Sequence, residues 1–337
     1  MTSAHASGAA PTPVPGTSTG AQSVHRAAVH SIDHFALNVP SIDTAQHFFT
    51  SFGLDVRREP HTLELRALDG HRWARVFAST RKSLAYLSFN CFEADLEAIR
   101  QQVIEAGAVC VDQPIYGEPG GFWFHDPDGN LIQVKPGPKT TPDAKREVVV
   151  TGPKADQRGS ITRAEVAPVR PDRLSHVLLF SPDVPAAVAF YHASIGLRLS
   201  DKSLDIIAFT HAPHGCDHHL VAFAKSSARG FHHSSWDVEN VNRVGEGASQ
   251  MNAAGYKKGW GTGRHVLGSN YFHYVEDPWG SFCEYSADID FVSAGSEWPA
   301  GDFAPENSLY LWGPDVPSNF IHNTEASVSP PAAAAHT

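Results

Sequence analysis

Residues Asp33–Val56 read DHFALNVPSIDTAQHFFTSFGLDV, and residues Ser175–Leu199 read SHVLLFSPDVPAAVAFYHASIGLRL. The two stretches share one plan. Each opens with an apolar run of strand length, turns at a Pro, and continues into an amphipathic segment stopped by Gly. In the first, Ala45, Phe48, Phe49 and Phe52 recur at i, i+3, i+4 and i+7, which lines one face of a helix, and Gly53 supplies the stop. In the second, Ala187, Phe190, Tyr191 and Ile195 play nearly the same part before Gly196.

The likeness extends outward from these stretches. A second helical pattern follows in each block: Leu96, Ile99 and Val103, closing at Ala106-Gly107, and Val241, Val244, Ala248 and Met251, closing at Ala254-Gly255. Each block then ends with an Asp-Pro-x-Gly turn leading into a strand, HDPDGNLIQV from His125 and EDPWGSFCEY from Glu276. The spacing predicts an α+β chain of two domains, 30–137 and 172–294, each built from paired βαβββ modules. A linker over 138–171 joins them, with Val148–Val150 as a candidate short strand. Residues 1–29 read as a flexible tail rich in Ala, Ser, Thr, Gly and Pro, without the apolar core of a secretory signal. Residues 295–337 read as an extension ending in a second tail.

Composition narrows the function. The 337 residues carry 26 Lys and Arg against 36 Asp and Glu, a formal net charge of −10, which argues against nucleic acid as a partner. Hydrophobic residues at 42 % suffice for packed cores, and no apolar run approaches the ~18–20 residues of a membrane helix. Cys91, Cys110, Cys216 and Cys283 are widely spaced with no Cys-x-x-Cys pair, so neither a disulfide framework nor a Cys-based zinc site is expected. Reduced thiols and the soluble composition predict a cytoplasmic protein. The unusual count is 20 His.

Aligning the blocks on their landmarks shows where those histidines matter. His34 matches His176. Counting back from Gly107 and Gly255 matches Ala85 with His233, and counting on from Gly129 and Gly280 matches Gln133 with Glu284. The second block therefore offers two imidazoles and one carboxylate on three separate strands, a set suited to Fe(II) with open positions and able to take Mn(II). Any one of these histidines alone would read as a hydrogen-bonded structural residue. The three together, at repeat-equivalent positions, point to a metal. Glu284 sits between Phe282, Cys283 and Tyr285, where a carboxylate without a partner is costly and a cation would neutralise it. His34 reads as a relic of the repeat.

The second block resembles the catalytic domain of the type I extradiol ring-cleavage dioxygenases of the vicinal oxygen chelate superfamily. The resemblance is carried by LSHVLLF around His176, HHLVAFAKS from His218, GFHHSSWDV around His233, GRHVLGSNYFHYVEDPWGSFCEY from Gly263 to Tyr285, and ENSLYLWGP from Glu306. It implies paired modules forming an open barrel around a cleft, with His176, His233 and Glu284 as metal ligands. It also implies that His219, His265 and Tyr274 are catalytic. The implied reaction inserts O2 into a catechol-type ring beside the diol. The family further implies Fe(II), with Mn(II) as the substitute, a small catecholic partner and a homo-oligomer.

A ring-cleaving site needs a base and later an acid, roles that suit imidazole and that fall to His219. Tyr274 would hydrogen-bond a substrate oxygen, and His265 would donate to one. His218 reads as a solvent-facing strand residue, and His232 as a neighbour that strand alternation turns away from the face of His233. Leu178 and Leu267, each two residues after a site histidine, and Trp236 and Phe282 are expected to line the ring pocket. The cation closest in sequence to these residues is Arg264, so uncharged catechols are the expected substrates. The competing readings are a metal-dependent lyase or isomerase on the same scaffold and a non-catalytic binding module for small molecules. A binding module has no need of a buried carboxylate.

Overall fold

A strand, a helix and three strands recur four times along the chain. In the first block, β1 (Ser31–Val39), α1 (Ile42–Phe52), β2 (Asp55–Glu59), β3 (Thr62–Arg66) and β4 (Arg72–Ala78) make one module. The next consists of β5 (Ser83–Cys91), α2 (Leu96–Glu105), β6 (Cys110–Val111), β7 (Phe122–His125) and β8 (Leu131–Pro136). The second block repeats this with β9 (Arg173–Ser181), α3 (Val184–Ile195), β10 (Arg198–Ser203), β11 (Ile207–His211) and β12 (Val221–Lys225), and then with β13 (Gly230–Asp237), α4 (Val241–Ala253), β14 (Gly259–His265), β15 (Tyr271–Glu276) and β16 (Phe282–Ala287). The structure, a computed structural model, describes residues 11–13, 26–148 and 153–326. Most of the expected N-terminal tail, the end of the C-terminal tail and two residues of the Val148–Val150 run lie outside the described residues.

Local chemistry sets the helix ends. Ser41 accepts from the backbone N–H of Thr44 and starts α1, and Asp183 does the same for Ala186 in α3. Gly53 ends α1 at φ +99°, and a Cβ there would come within 2.0 Å of the Val169 carbonyl, so the linker's path past this turn requires glycine. The expected apolar faces of α1 and α3 are buried.

Within each block the modules meet on an antiparallel pair, β1 with β5 and β9 with β13. Outside that pair the contacts are parallel, β1 with β4, β5 with β8, β9 with β12, and β13 with β16. Each central pair carries two irregularities, and they fall at the same places. In the first block Asp33 and Ala85 are the extra residues; in the second they are Ser175 and His232. A bulge of this kind re-aims the side chains beside it and sharpens the local twist.

One core runs through both blocks. The Phe52 ring stacks on Tyr285 at 4.0 Å, and the Tyr285 hydroxyl donates to the Phe52 carbonyl at 2.8 Å. Phe35 stacks on Phe231 at 5.4 Å. The helices interlock across the junction, α1 against α4 and α2 against α3. The extension then wraps the second sheet. Gly301–Asp302 adds to the outer edge of β10, and β17 (Tyr310–Trp312) pairs with β14. Farther on, the Glu325 carboxylate meets the buried Lys82 ammonium of the first block at 2.7 Å.

Candidate active site

Three neighbouring strands of the second block bring His176, His233 and Glu284 together. His176 on β9 lies opposite Ser235 on β13, which lies opposite Glu284 on β16, and His233 sits two residues earlier on the same face of β13. Their ligating atoms all lie within 4.8 Å of one another, and all three side chains are buried. Glu284 Oε2 is 3.4 Å from His176 Nε2 and 3.7 Å from His233 Nε2. Both His233 Nε2 and Glu284 Oε2 lack a hydrogen-bond partner among the described residues. Two buried polar atoms left bare and aimed at one point are costly unless something satisfies both. A divalent cation does so, and the donor set of two imidazoles and a carboxylate fits one. Burial alone would raise the Glu284 carboxyl, but the nearby His176 imidazole, with His265 behind, holds it below the usual range. Burial pushes His233 well below the ordinary imidazole value, leaving it neutral as a ligand must be.

The bulge at His232 explains how His233 is aimed. His232 Nε2 donates to the Phe320 carbonyl at 2.6 Å, since a carbonyl can only accept. Burial holds His232 down at about 4, so it carries one proton at neutral pH, and its Nδ1 is bare. That atom lies 2.6 Å from His233 Nδ1, which must therefore be the donor, and the lone pair of His233 falls on Nε2, facing Glu284. Alternation does predict a turn away from the His233 face, but the bulge keeps the two rings in edge contact at 4.9 Å.

The other expected residues surround this group. The His219 ring is buried 3.9 Å from that of His176, and burial followed by the neighbouring imidazoles pushes it well below the usual value. His265 Nδ1 donates to the Leu309 carbonyl at 2.7 Å, and its Nε2 lies 2.9 Å from the Tyr274 hydroxyl and 3.8 Å from Glu284 Oε1. Tyr274 faces Glu284 across β15 and β16, and burial beside that carboxylate drives its phenol well above the ordinary value, so it keeps its proton. Phe282 belongs to an aromatic cluster with Trp260, Phe272, Tyr274 and Phe320. Leu178 lies opposite His233, and Leu267 is buried between β14 and β15. Trp236 corrects the expectation. Alternation puts it on the other face of β13, in the core shared by the blocks, with its ring 6.3 Å from Phe35.

Comparisons with known proteins identify the family. A profile of the Glyoxalase/Bleomycin resistance protein/Dioxygenase superfamily matches residues 173–285. Metapyrocatechase 2 of Cupriavidus necator is 62 % identical over 301 residues, covering 89 % of this chain and 94 % of the relative. The chain belongs to the extradiol dioxygenases of the vicinal oxygen chelate superfamily. Its fold is shared by a Mn(II)-bound glyoxalase from Novosphingobium aromaticivorans, at a TM-score of 0.70 and 24 % identity over 87 % of this chain and 94 % of that one. It is shared equally by homoprotocatechuate 2,3-dioxygenase from Arthrobacter globiformis, at 0.70 and 19 % over 89 % and 93 %. The lyase, isomerase and binding-module readings give way to an extradiol dioxygenase, an enzyme that works with a catalytic metal.

Other features of this dioxygenase depart from the sequence reading or escape it. His218, expected to face solvent, is fully buried behind His219. Asn270, which no spacing singles out, donates to Glu284 Oε1 at 3.0 Å and to Ser286 at 2.9 Å, fixing the carboxylate's second oxygen. Strand register pairs Ala36 with Tyr86 as it pairs Leu178 with His233, so the counterpart of His233 is Tyr86 and not Ala85, which matches the bulged His232. In the first block His34 donates from Nδ1 to Asp33 at 2.6 Å and accepts from the Tyr86 hydroxyl at 2.8 Å. Asp33, His34 and Glu118 converge as a second group with metal-binding atoms, but Lys135 Nζ already stands 2.8 Å from Asp33 and 3.6 Å from Glu118, which also pairs with Arg72.

Proposed function

We propose that the enzyme opens the ring of a catechol bearing an uncharged substituent, with one Fe(II) per chain held by His176, His233 and Glu284. The observation that carries the ligand assignment is the pair of buried, unpartnered atoms, His233 Nε2 and Glu284 Oε2, facing one point from neighbouring strands. When bound, the iron supplies open positions for the diol and for O2 and makes a diol hydroxyl more acidic. One metal per chain is supported by the first block, where Tyr86 and Gln133 stand at the positions of His233 and Glu284.

The chain's own residues supply orientation and proton transfer. His219, buried and neutral, takes a proton from the diol and later returns it. The Tyr274 hydroxyl donates to His265 Nε2 and orients a substrate hydroxyl without ionising the phenol. His265, its proton held on Nδ1 by the Leu309 carbonyl, positions Tyr274 and does not itself make the donation to substrate expected from the sequence. Leu178, Leu267 and Phe282 wall the ring. Arg264 turns from the site, its guanidinium lying over the Tyr271 ring at 4.8 Å and bonded to the Ser269 carbonyl at 3.0 Å. A carboxylate on the substrate would need a desolvated cation as partner, and Arg264 is engaged elsewhere. The unpaired thiols of Cys91, Cys110, Cys216 and Cys283 support a reducing, cytoplasmic setting.

The test pairs metal analysis of freshly purified protein with oxygen uptake on a set of catechols. About one iron per chain is expected, with a higher kcat/KM for 3-methylcatechol or 3-phenylcatechol than for protocatechuate. Manganese in place of iron would overturn the metal, two metals per chain the single site, and preference for protocatechuate the uncharged pocket.

A further inference from the structure

Behind His219, on the side away from the ligand group, stands a chain of polar contacts that ring cleavage as described does not use. His219 Nδ1 lies 3.1 Å from His218 Nδ1, and His218 Nε2 lies 2.8 Å from Asp201 Oδ2. All three residues are buried, and His218 has no exposed surface. Asp201, on β10, is itself clamped from the C-terminal extension. The Trp298 indole N–H donates to Oδ2 at 3.2 Å, and the Gly301 backbone N–H donates to Oδ1 at 2.7 Å. The His218 ring is held between Phe209 at 5.8 Å and Trp298 at 5.2 Å.

We propose that Asp201, acting through His218, fixes the ring proton of His219 on Nδ1 and so leaves Nε2 with the lone pair that accepts the substrate's proton. The argument is one of hydrogen-bond inventory. A carboxylate only accepts, so the His218 nitrogen against it carries the hydrogen. In the state proposed, His218 holds that single N–H, and its Nδ1 is bare. The nitrogen facing it, His219 Nδ1, must then donate, and the second nitrogen of His219 is free. When Nε2 takes a proton from a diol hydroxyl, the new positive charge lies two hydrogen bonds from the Asp201 carboxylate, which stabilises it. Asp201 and His218 are positioning residues, since neither reaches the substrate. The inference rests on the dioxygenase reading only in giving that lone pair a substrate; the placement of the proton does not depend on it.

Two measurements test it. In the iron-loaded full-length enzyme, Asp201→Ala and His218→Phe, the latter keeping an aromatic ring between Phe209 and Trp298, should each lower kcat about ten- to a hundredfold, with KM within about threefold and iron content unchanged. The double variant should lose no more than His218→Phe alone, because Asp201 acts through that ring. Asp201→Glu should recover part of the rate. Losses that multiply in the double variant, or a kcat near wild type in Asp201→Ala, would overturn the proposal. Independently, long-range 1H–15N spectra of the metal-free full-length chain should place the His219 proton on Nδ1 in wild type and give a mixture in Asp201→Ala. A wild-type proton on Nε2 would overturn the proposal whether or not any variant folds. If wild type cleaves no catechol while the spectra show the Nδ1 form, the functional reading falls and the relay stands.

Discussion

Glu284 and His219 separate two kinds of loss at the scale of single residues. Glu284→Gln keeps the side chain's shape and its bond from Asn270 but removes the charge facing two imidazoles, so iron content and ring cleavage should fall together. His219→Gln should keep the iron and lose roughly 10²–10⁴ in kcat, the range of general acid–base groups. Iron analysis beside steady-state kinetics on the two variants tells these apart. At this scale the candidate ligands were legible because a repeat supplies its own control: His233 and Glu284 stand where the first block has other residues, while His176 matches His34. His218 was not, because alternation carries no information just outside a strand, and its burial depends on Trp298 from a segment eighty residues away. Trp236 was misplaced because closeness to His233 in sequence says nothing about which face of the strand it takes.

Among the elements, the bulges carry most of the consequence. A count from helix to strand assumes an unbroken ladder, and the count that paired Ala85 with His233 ran one residue out of register with the bulged strands. The second block uses its bulge for more than a bend, since His232 reaches both the Phe320 carbonyl and His233 Nδ1 from that position. His232→Ala should therefore weaken metal retention about 10- to 100-fold while leaving all three ligands in place, as losing a partner that orients a ligand does elsewhere. Equilibrium dialysis against a competing chelator measures it, and retention equal to wild type would show that β13 aims His233 unaided. The modules themselves were readable because strand and helix periods, Gly stops and Asp-Pro turns all agreed. The course of the C-terminal extension was not, since its pairings with β10 and β14 are short and non-local.

Across the whole molecule, buried histidines make the fold sensitive to acid. Burial lowers His30 and His273 to about 4 and His211 to about 3, against an ordinary value of 6.5. Unfolding frees each to take a proton below pH 6.5, so the unfolded state binds more protons and stability falls with pH from about 6.5 towards 4. Asp237 works in the opposite sense. Burial raises it to about 6 despite Arg173, so its contribution improves as pH falls from 6 towards its unfolded value. Histidines lowered by burial, His232 and His34 among them, outnumber the carboxyls raised by it, and this decides the sign. Thermal melts should be level near pH 7–8 and drop steeply below pH 6.5, and His211→Gln should flatten the drop.

In the first block, the ammonium of Lys135 stands between the carboxylates of Asp33 and Glu118 and travels with the chain. Shortage of the catalytic metal would leave the ligand group of the second block bare, while the first block keeps its own cation. Enzyme stripped by a chelator should then keep slow amide exchange in β1 and β5 while β9, β13 and β16 exchange faster, and adding iron should restore protection and activity without refolding. Metal shortage would then leave a standing pool of idle enzyme, ready as soon as supply returns.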